Sequence, residues 1–250
     1  MNLVFPDSEI IRVRQTASTN SHLLQLSNVE KLAEGTIVAT DHQTQGRGQA
    51  GNSWESEPGA NLTFSIVLYP TSVKAERQFI LSKAISLAVY DFVSDFVPVG
   101  VSVKWPNDVY VGEQKIAGIL IENFVEGAYL TKTIAGIGVN INQERFLSDA
   151  PNPVSLRHLT GKIYPLENCL QILHNHIIAR YRMMTSDPNQ LDSDYLQHLY
   201  RFGKSSRFSA GGVSFNAVIT GVNRYGMIEM TTETGERKVF GFKEVHSKLC

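Results

Sequence analysis

Gly46-Arg47-Gly48-Gln49-Ala50-Gly51 is the stretch whose reading decides the fold. It matches the G-x-G-x-x-G pattern of a dinucleotide-binding loop. Such a loop needs a strand before it and a helix directly after it, because the helix N-terminus holds the pyrophosphate. The strand is present as Gly35-Thr36-Ile37-Val38-Ala39-Thr40. The helix is not: Asn52 to Asn61 contains the breakers Pro58 and Gly59 and has no apolar period. The dinucleotide fold is therefore set aside. What remains is a long glycine loop, from Asp41 to Asn61, between two strands. Loops of this length in compact domains are usually functional or disordered. Glycines leave backbone amides open to an anion, and the Arg47 guanidinium is a fork suited to carboxylate or phosphate. Trp54 adds an aromatic face able to stack on a purine.

Working outward, Thr19 to Leu26 reads as a short helix with Ser18 or Thr19 as N-cap, since either side-chain oxygen can accept from a first-turn amide. Leu62 to Tyr69 reads as the strand after the loop, stopped by Pro70. The clearest helix is Glu76 to Val97, where Phe79, Ile80, Ala84, Ile85, Ala88 and Val89 open an apolar stripe at helical spacing. Strand patterns follow at Val101–Trp105, Lys115–Phe124 and Leu130–Ile141, the last two as a hairpin around Glu126-Gly127. Helices are expected over Leu166–Tyr181 and Leu191–Tyr200. After Phe202 the chain breaks into short β runs at Val213–Val222, Met227–Thr232 and Lys238–Phe242, spacing that suggests a small closed barrel. The reading is an α+β protein with residues 1–202 as one domain and 203–250 as a second.

Composition sets outer bounds. The chain has 250 residues, 42% of them hydrophobic and 19% charged, which is too apolar for a disordered chain. Lys and Arg number 23 against 24 Asp and Glu. A net charge of -1 argues against a surface built wholly to grip nucleic acid or anionic lipid. No apolar run reaches the ~20 residues of a membrane span, and the start lacks a secretory pattern. Of two cysteines, Cys169 falls on an apolar helix face and Cys250 ends the sequence. Neither has metal-type spacing, and a reduced cytoplasmic protein is expected.

Lys104-Trp105-Pro106-Asn107-Asp108 ends a strand in a tight turn, since Pro106 sets φ and Asn107 and Asp108 are turn residues. Gly118, Gly136 and Gly138 interrupt strand patterns, where glycine often marks close approach by a ligand or another backbone. For Gly136 to Asn140 a bulge followed by a turn residue is the simpler expectation. Asn140 carries a donor and an acceptor and is able to pair with an adenine edge.

Taken together, four motifs in order resemble the biotin–protein ligases. They are Ser18-Thr19-Asn20-Ser21, Gly46-Arg47-Gly48 with Gly51 and Trp54, Lys104 to Asp108 with Lys115-Ile116-Ala117-Gly118, and Gly136-Ile137-Gly138-Val139-Asn140. The resemblance covers essentially the whole chain. It implies a central mixed β-sheet with helices, of the class II synthetase/biotin–lipoate ligase-like kind, plus a C-terminal SH3-like β-barrel. It also implies formation of biotinyl-5′-AMP from biotin and ATP, then transfer to one lysine of a biotin carboxyl carrier domain.

By motif match, biotin contacts fall to Ser18, Thr19, Asn20, Gln43, Arg47, Gly48, Gln49, Lys115 and Gly118, with Ala117 and Gly136 as further low walls. ATP or adenylate contacts fall to Gly46, Arg47, Gly48, Trp54, Asn107, Lys115 and Asn140. Arg47 and Lys115 are the candidate catalytic cations, because joining a carboxylate to a phosphate requires fixed positive charge. Asp108 is the third candidate, either assisting the incoming lysine or capping its turn. Mg²⁺ is expected to ride on the nucleotide, with no dedicated protein cage. The loop over residues 42–57 is expected to close over the adenylate.

Two departures stand out. Many members read Gly-Arg-Gly-Arg-Arg-Gly-Arg in the loop. Here Gln49, Ala50 and Asn52 replace three arginines, so early escape of the adenylate is expected. Only seventeen residues precede Ser18, too few for the DNA-binding module of some relatives, and an enzyme that does not bind DNA is expected. A monomer and an edge-to-edge homodimer both stay open. Rival readings are a lipoate ligase, a cysteine-dependent octanoyl transferase and a non-catalytic biotin or carrier-binding module.

Overall fold

The computed structural model describes residues 5, 7–147 and 152–247. Its larger sheet comprises β1 (Ile10–Thr16), β2 (Ile37–Gln43), β3 (Leu62–Leu68), β4 (Val101–Lys104), β5 (Asp108–Val111), β6 (Gln114–Glu126) and β7 (Tyr129–Val139). The spatial order is β1-β2-β3-β7-β6-β5-β4. β1 pairs with β2 in parallel and every other neighbouring pair is antiparallel, so the sheet is mixed. Helices α1 (Thr19–Val29), α2 (Phe79–Phe96), α3 (Leu156–Thr160), α4 (Leu166–Ser186) and α5 (Pro188–Gln197) complete this part.

Every residue of β3 is buried, although its pattern alternates at its start. The reason is that both faces are covered. Phe64, Ile66 and Leu68 join the main core, where α2 supplies Leu81, Ile85, Phe92 and Val93. Val67 joins a smaller cluster with Leu23 of α1, on the other face. Cys169 of α4 is 1% exposed, and burial pushes its thiol up to about 11. Cys250 lies outside the described residues.

The smaller sheet is antiparallel, in the order β11-β10-β9-β8-β12, from β8 (Ser205–Ala210), β9 (Val213–Val222), β10 (Ile228–Thr232), β11 (Arg237–Phe240) and β12 (His246–Ser247). Among the described residues its end strands β11 and β12 do not pair, so no ladder closes the expected barrel. Trp105 ties the two sheets together: its indole Nε1 donates to the Gly226 carbonyl at 2.8 Å, and its ring lies 5.4 Å from that of Phe242.

Three differences from the sequence reading have local causes. β1 is a partly exposed edge strand carrying Arg12 and Arg14, which hide its apolar alternation. The Lys104–Asp108 turn is the tip of a hairpin, so Asp108 opens β5. α2 begins at Phe79 because Ala75–Arg77 tightens into a 3₁₀ turn first.

His174 on α4 stacks on Phe5, and burial holds its imidazole below its ordinary 6.5. The unfolded chain therefore takes up this proton first. The stability His174 contributes is fully present above about pH 6.5 and is lost as pH falls through its lower folded value. His174→Phe is expected to flatten the fall in Tm below about pH 6.5. Parallel Tm-against-pH curves for variant and parent would contradict this.

Candidate functional site

The register of five strands builds the floor of a site. Thr63 on β3, Gly138 on β7, Gly118 on β6, Asp108 on β5 and Lys104 on β4 stand opposite one another in sequence. The next row on the same face is Ser65, Gly136 and Leu120. Residues directly opposite share a face, so three glycines and two small hydroxyls form a trough. Pairing is continuous through Gly136 and Gly138, which corrects the expectation of a bulge there. The glycines are required by close approach. A Cβ on Gly138 would overlap the Trp54 indole, and one on Gly118 would lie 3.0 Å from its Cζ3. A Cβ on Gly136 would overlap the Asn20 amide.

One end of the trough is polar and tightly bonded. Ser18 precedes α1 with extended backbone, yet its side chain caps nothing, and it lines the cavity instead. Thr19 N donates to Gln43 Oε1 at 2.8 Å, and its Oγ1 lies 3.2 Å from the same oxygen. This fixes the Gln43 amide so that its NH₂ is the remaining donor. Ser65 Oγ donates to Asn20 Oδ1 at 2.6 Å, and Asn20 Nδ2 donates to Glu122 Oε2 at 2.7 Å. Asn20, expected as a ligand contact, lines the cavity with its amide bonded to Ser65 and Glu122.

The other end is cationic. Lys115 Nζ pairs with Asp108 Oδ1 at 2.7 Å and lies 5.8 Å from the Trp54 ring centroid. A register shift between Val109 and Tyr110 brings this lysine onto the trough. Lys104 Nζ donates to the Tyr110 hydroxyl at 3.0 Å. Burial lowers the Lys104 pKa against the opposing pull of Asp108, and burial raises that of Tyr110. The cavity so formed has a volume of about 660 Å³ and is closed on its far side by Phe208, Ile219, Ile228, Met230 and Val245 of the smaller sheet. Its lining carries five Lys and Arg side chains (Arg47, Lys104, Lys115, Arg201 and Lys243) against one carboxylate, Asp108.

The glycine loop rises over this cavity from fixed ends. Gly48 N donates to the Asn52 carbonyl at 2.6 Å, and Trp54 N donates to the Gly46 carbonyl at 2.9 Å. Beyond Trp54, Glu55 Oε1 accepts from Leu147 N at 2.8 Å, and the buried Gln143 bonds both Glu57 N and Asn61. Between these anchors Arg47 reaches Glu122, with Nη2 3.2 Å from each carboxylate oxygen.

The fold brings most of the expected residues to this one cavity. Ser18, Thr19, Asn20, Gln43, Arg47, Gly48, Gln49, Trp54, Asn107, Asp108, Lys115, Gly118 and Gly136 line it. Three do not. Asn140, expected at the adenine, is 2% exposed and donates its Nδ2 to the Val154 carbonyl at 3.0 Å, while its Oδ1 has no hydrogen-bond partner among the described residues. Gly46 is closed off by the Trp54 backbone, and Ala117 lies in the core beneath the sheet. Sequence reasoning assigned no role to Lys104, Glu122, Arg201 or Lys243. Lys104 stood inside a motif already singled out. Arg201 and Lys243 gave no local signal, because Arg201 arrives on the segment after α5 that runs beside β4, and Lys243 arrives between β11 and β12.

Comparison with known proteins agrees with this arrangement. The model of the Biotin/lipoate A/B protein ligase family matches residues 12–140. The biotin--[acetyl-CoA-carboxylase] ligase of Mycobacterium tuberculosis is 31% identical over 204 residues, covering 80% of this chain and 74% of that protein. The bifunctional ligase/repressor BirA of Bacillus subtilis is 26% identical over 94% of this chain and 77% of its own length. The biotin protein ligase from Aquifex aeolicus, solved in complex with biotin and ATP, superposes with a TM-score of 0.79 at 25% identity, covering 96% of this chain and 98% of that one. The matched segment runs from β1 to the end of β7 and carries the whole trough, so the chain belongs to the Biotin/lipoate A/B protein ligase family.

Proposed function

We propose that this chain is an ATP-dependent biotin–protein ligase. The observation that carries this reading is a cavity with a polar, hydrogen-bonded end, a glycine floor and an excess of fixed cations at the other end. A small polar head on an apolar body suits the first, and a triphosphate suits the last. In step one the biotin carboxylate attacks the α-phosphate of ATP, the mixed anhydride forms and pyrophosphate leaves. Arg47 and Lys115 reduce the repulsion between the two anions, and Trp54 offers its ring to the adenylate. In step two the carrier lysine amine attacks the acyl carbon, the amide forms, and AMP leaves with the electron pair of the broken C–O bond. Asp108, opposite Gly118 and paired with Lys115, orients the incoming amine or receives its proton.

Ser18, the Gln43 NH₂ and the backbone of the trough receive the head group. Mg²⁺, when bound, would be held mainly by the nucleotide and would neutralise charge on its phosphates. Among the described residues no three His, Cys, Asp or Glu side chains gather to hold a metal ion. We assign catalysis to residues 1–202 and give residues 203–250 the role of the cavity's far wall, since the second sheet starts at Ser205. The partner is a biotin carboxyl carrier domain. No described helix is long and apolar enough to cross a membrane. Cys169 lies in the core and does not line the cavity, which disfavours a cysteine-dependent acyl transfer.

The test is exchange of labelled pyrophosphate into ATP with biotin, lipoate and octanoate supplied separately. Exchange with biotin alone is the expected result. Exchange with lipoate alone would move the chain to a lipoate ligase, and biotin binding without exchange would make it a binding module.

A further inference from the structure

Glu122 on β6 stands between the polar end of the trough and the glycine loop. One carboxylate oxygen accepts from Asn20 Nδ2 at 2.7 Å, and both lie 3.2 Å from Arg47 Nη2. Through Asn20 it joins a buried chain. Ser65 Oγ is 2.6 Å from Asn20 Oδ1 and 2.7 Å from Thr19 Oγ1, and Thr19 fixes Gln43. Glu122 is the only ionised group in that chain. Its pair with Arg47 is different in kind: the two side chains are 31% and 47% exposed, and such exposed pairs are weak and screened by salt. The carboxylate is thus held firmly on one side and loosely on the other.

We propose that Glu122 is a positioning residue that competes with the substrate carboxylate for Arg47 while keeping Asn20 oriented at the polar end of the cavity. An acid entering the trough offers Arg47 a second carboxylate in a less screened place. The guanidinium then swings from Glu122 to the substrate, and the glycine loop moves with it. Glu122 keeps its bond to Asn20 throughout, so the head-group end is not disturbed. Substrate competition with the protein's own carboxylate rests on the ligase reading; the hold on the loop does not.

Glu122→Gln separates the two roles, because its amide oxygen still accepts from Asn20 while the charge is gone. Two readouts are required. In buffer without biotin or ATP, trypsin is expected to cut after Arg47 at least threefold faster than in the parent, since the guanidinium is no longer held. In pyrophosphate exchange, KM for biotin is expected to fall at least threefold with kcat within twofold, because the competitor has been removed. A merely structural role predicts a raised KM. Glu122→Asp, which keeps the charge, is expected to restore most of the parent's trypsin resistance.

In a Glu122→Gln protein whose Tm matches the parent's, an unchanged cleavage rate or an unchanged or raised KM overturns the proposal. Should that variant not fold, the parent itself decides. Raising salt must speed cleavage after Arg47 relative to a small peptide substrate, and no acceleration overturns the proposal. If the parent exchanges with none of the three acids, the ligase reading fails while the cleavage arm still decides the hold on the loop.

Discussion

Replacing Lys115 with methionine is expected to lower biotin-dependent pyrophosphate exchange by roughly 10²–10³-fold, the loss typical of removing one preorganised charge-stabilising donor. The substitution keeps most of the side chain's apolar length and removes the charge 2.7 Å from Asp108. Both of its consequences act in one direction. The attacking carboxylate and the phosphate lose a shared cation, and Asp108 loses its ion-pair partner on the path of two anions. Asp108→Asn alone is expected to leave exchange within about tenfold of the parent, because it removes the repulsive half of the pair. Its transfer step to the carrier should fall further than its exchange. Exchange rates for Lys115→Met within tenfold of the parent would show that Lys104 or Arg201 carries the load instead.

Gly138→Val is expected to cost the second largest loss. The added side chain would have to occupy the space of the Trp54 indole, which lies directly over this position. Overpacking of this kind costs about 1–3 kcal/mol when the neighbour is able to yield. Here the neighbour yields by leaving the trough, so the cost falls on the closed position of the loop rather than on the fold. A drop of roughly 5–150-fold in adenylate retention is expected, the free-energy equivalent of that overlap, with Tm changed little. Trp54→Ala in the same background should recover part of the loss. A large fall in Tm for Gly138→Val would instead place the strain in the β3-β7-β6 pairing.

Much of this was legible in the sequence because it was local. The α2 stripe announced itself by period, and the missing helix after Gly51 removed the dinucleotide fold. Gly118, Gly136 and Gly138 were readable as points of close approach, although which atoms approach them was not. Trp54 and Asn20 cover them from 64 and 116 residues away in the chain respectively, measured to Gly118 and Gly136. Asn140 was ambiguous for a related reason. Its amide could equally serve a ligand or a neighbouring carbonyl, and the chain returning at Val154 takes its Nδ2 while its Oδ1 has no hydrogen-bond partner among the described residues. Glu122 was invisible because a carboxylate on an antiparallel strand is ordinarily a solvated one. Its partners arrive from α1 and from the glycine loop, neither of which pairs with β6.

The distribution of charge has a kinetic consequence. The chain as a whole carries -1, yet five cations face one carboxylate across the cavity lining. The rest of the chain therefore carries a net negative charge, part of it on Glu122 and Glu113, which pair with Arg47 and Arg201 at the cavity's edge. Field lines concentrate in a cleft with low-dielectric walls, so the cationic lining is expected to attract a nucleotide. The rate of capture should then fall with ionic strength much more steeply than a net charge near zero would suggest.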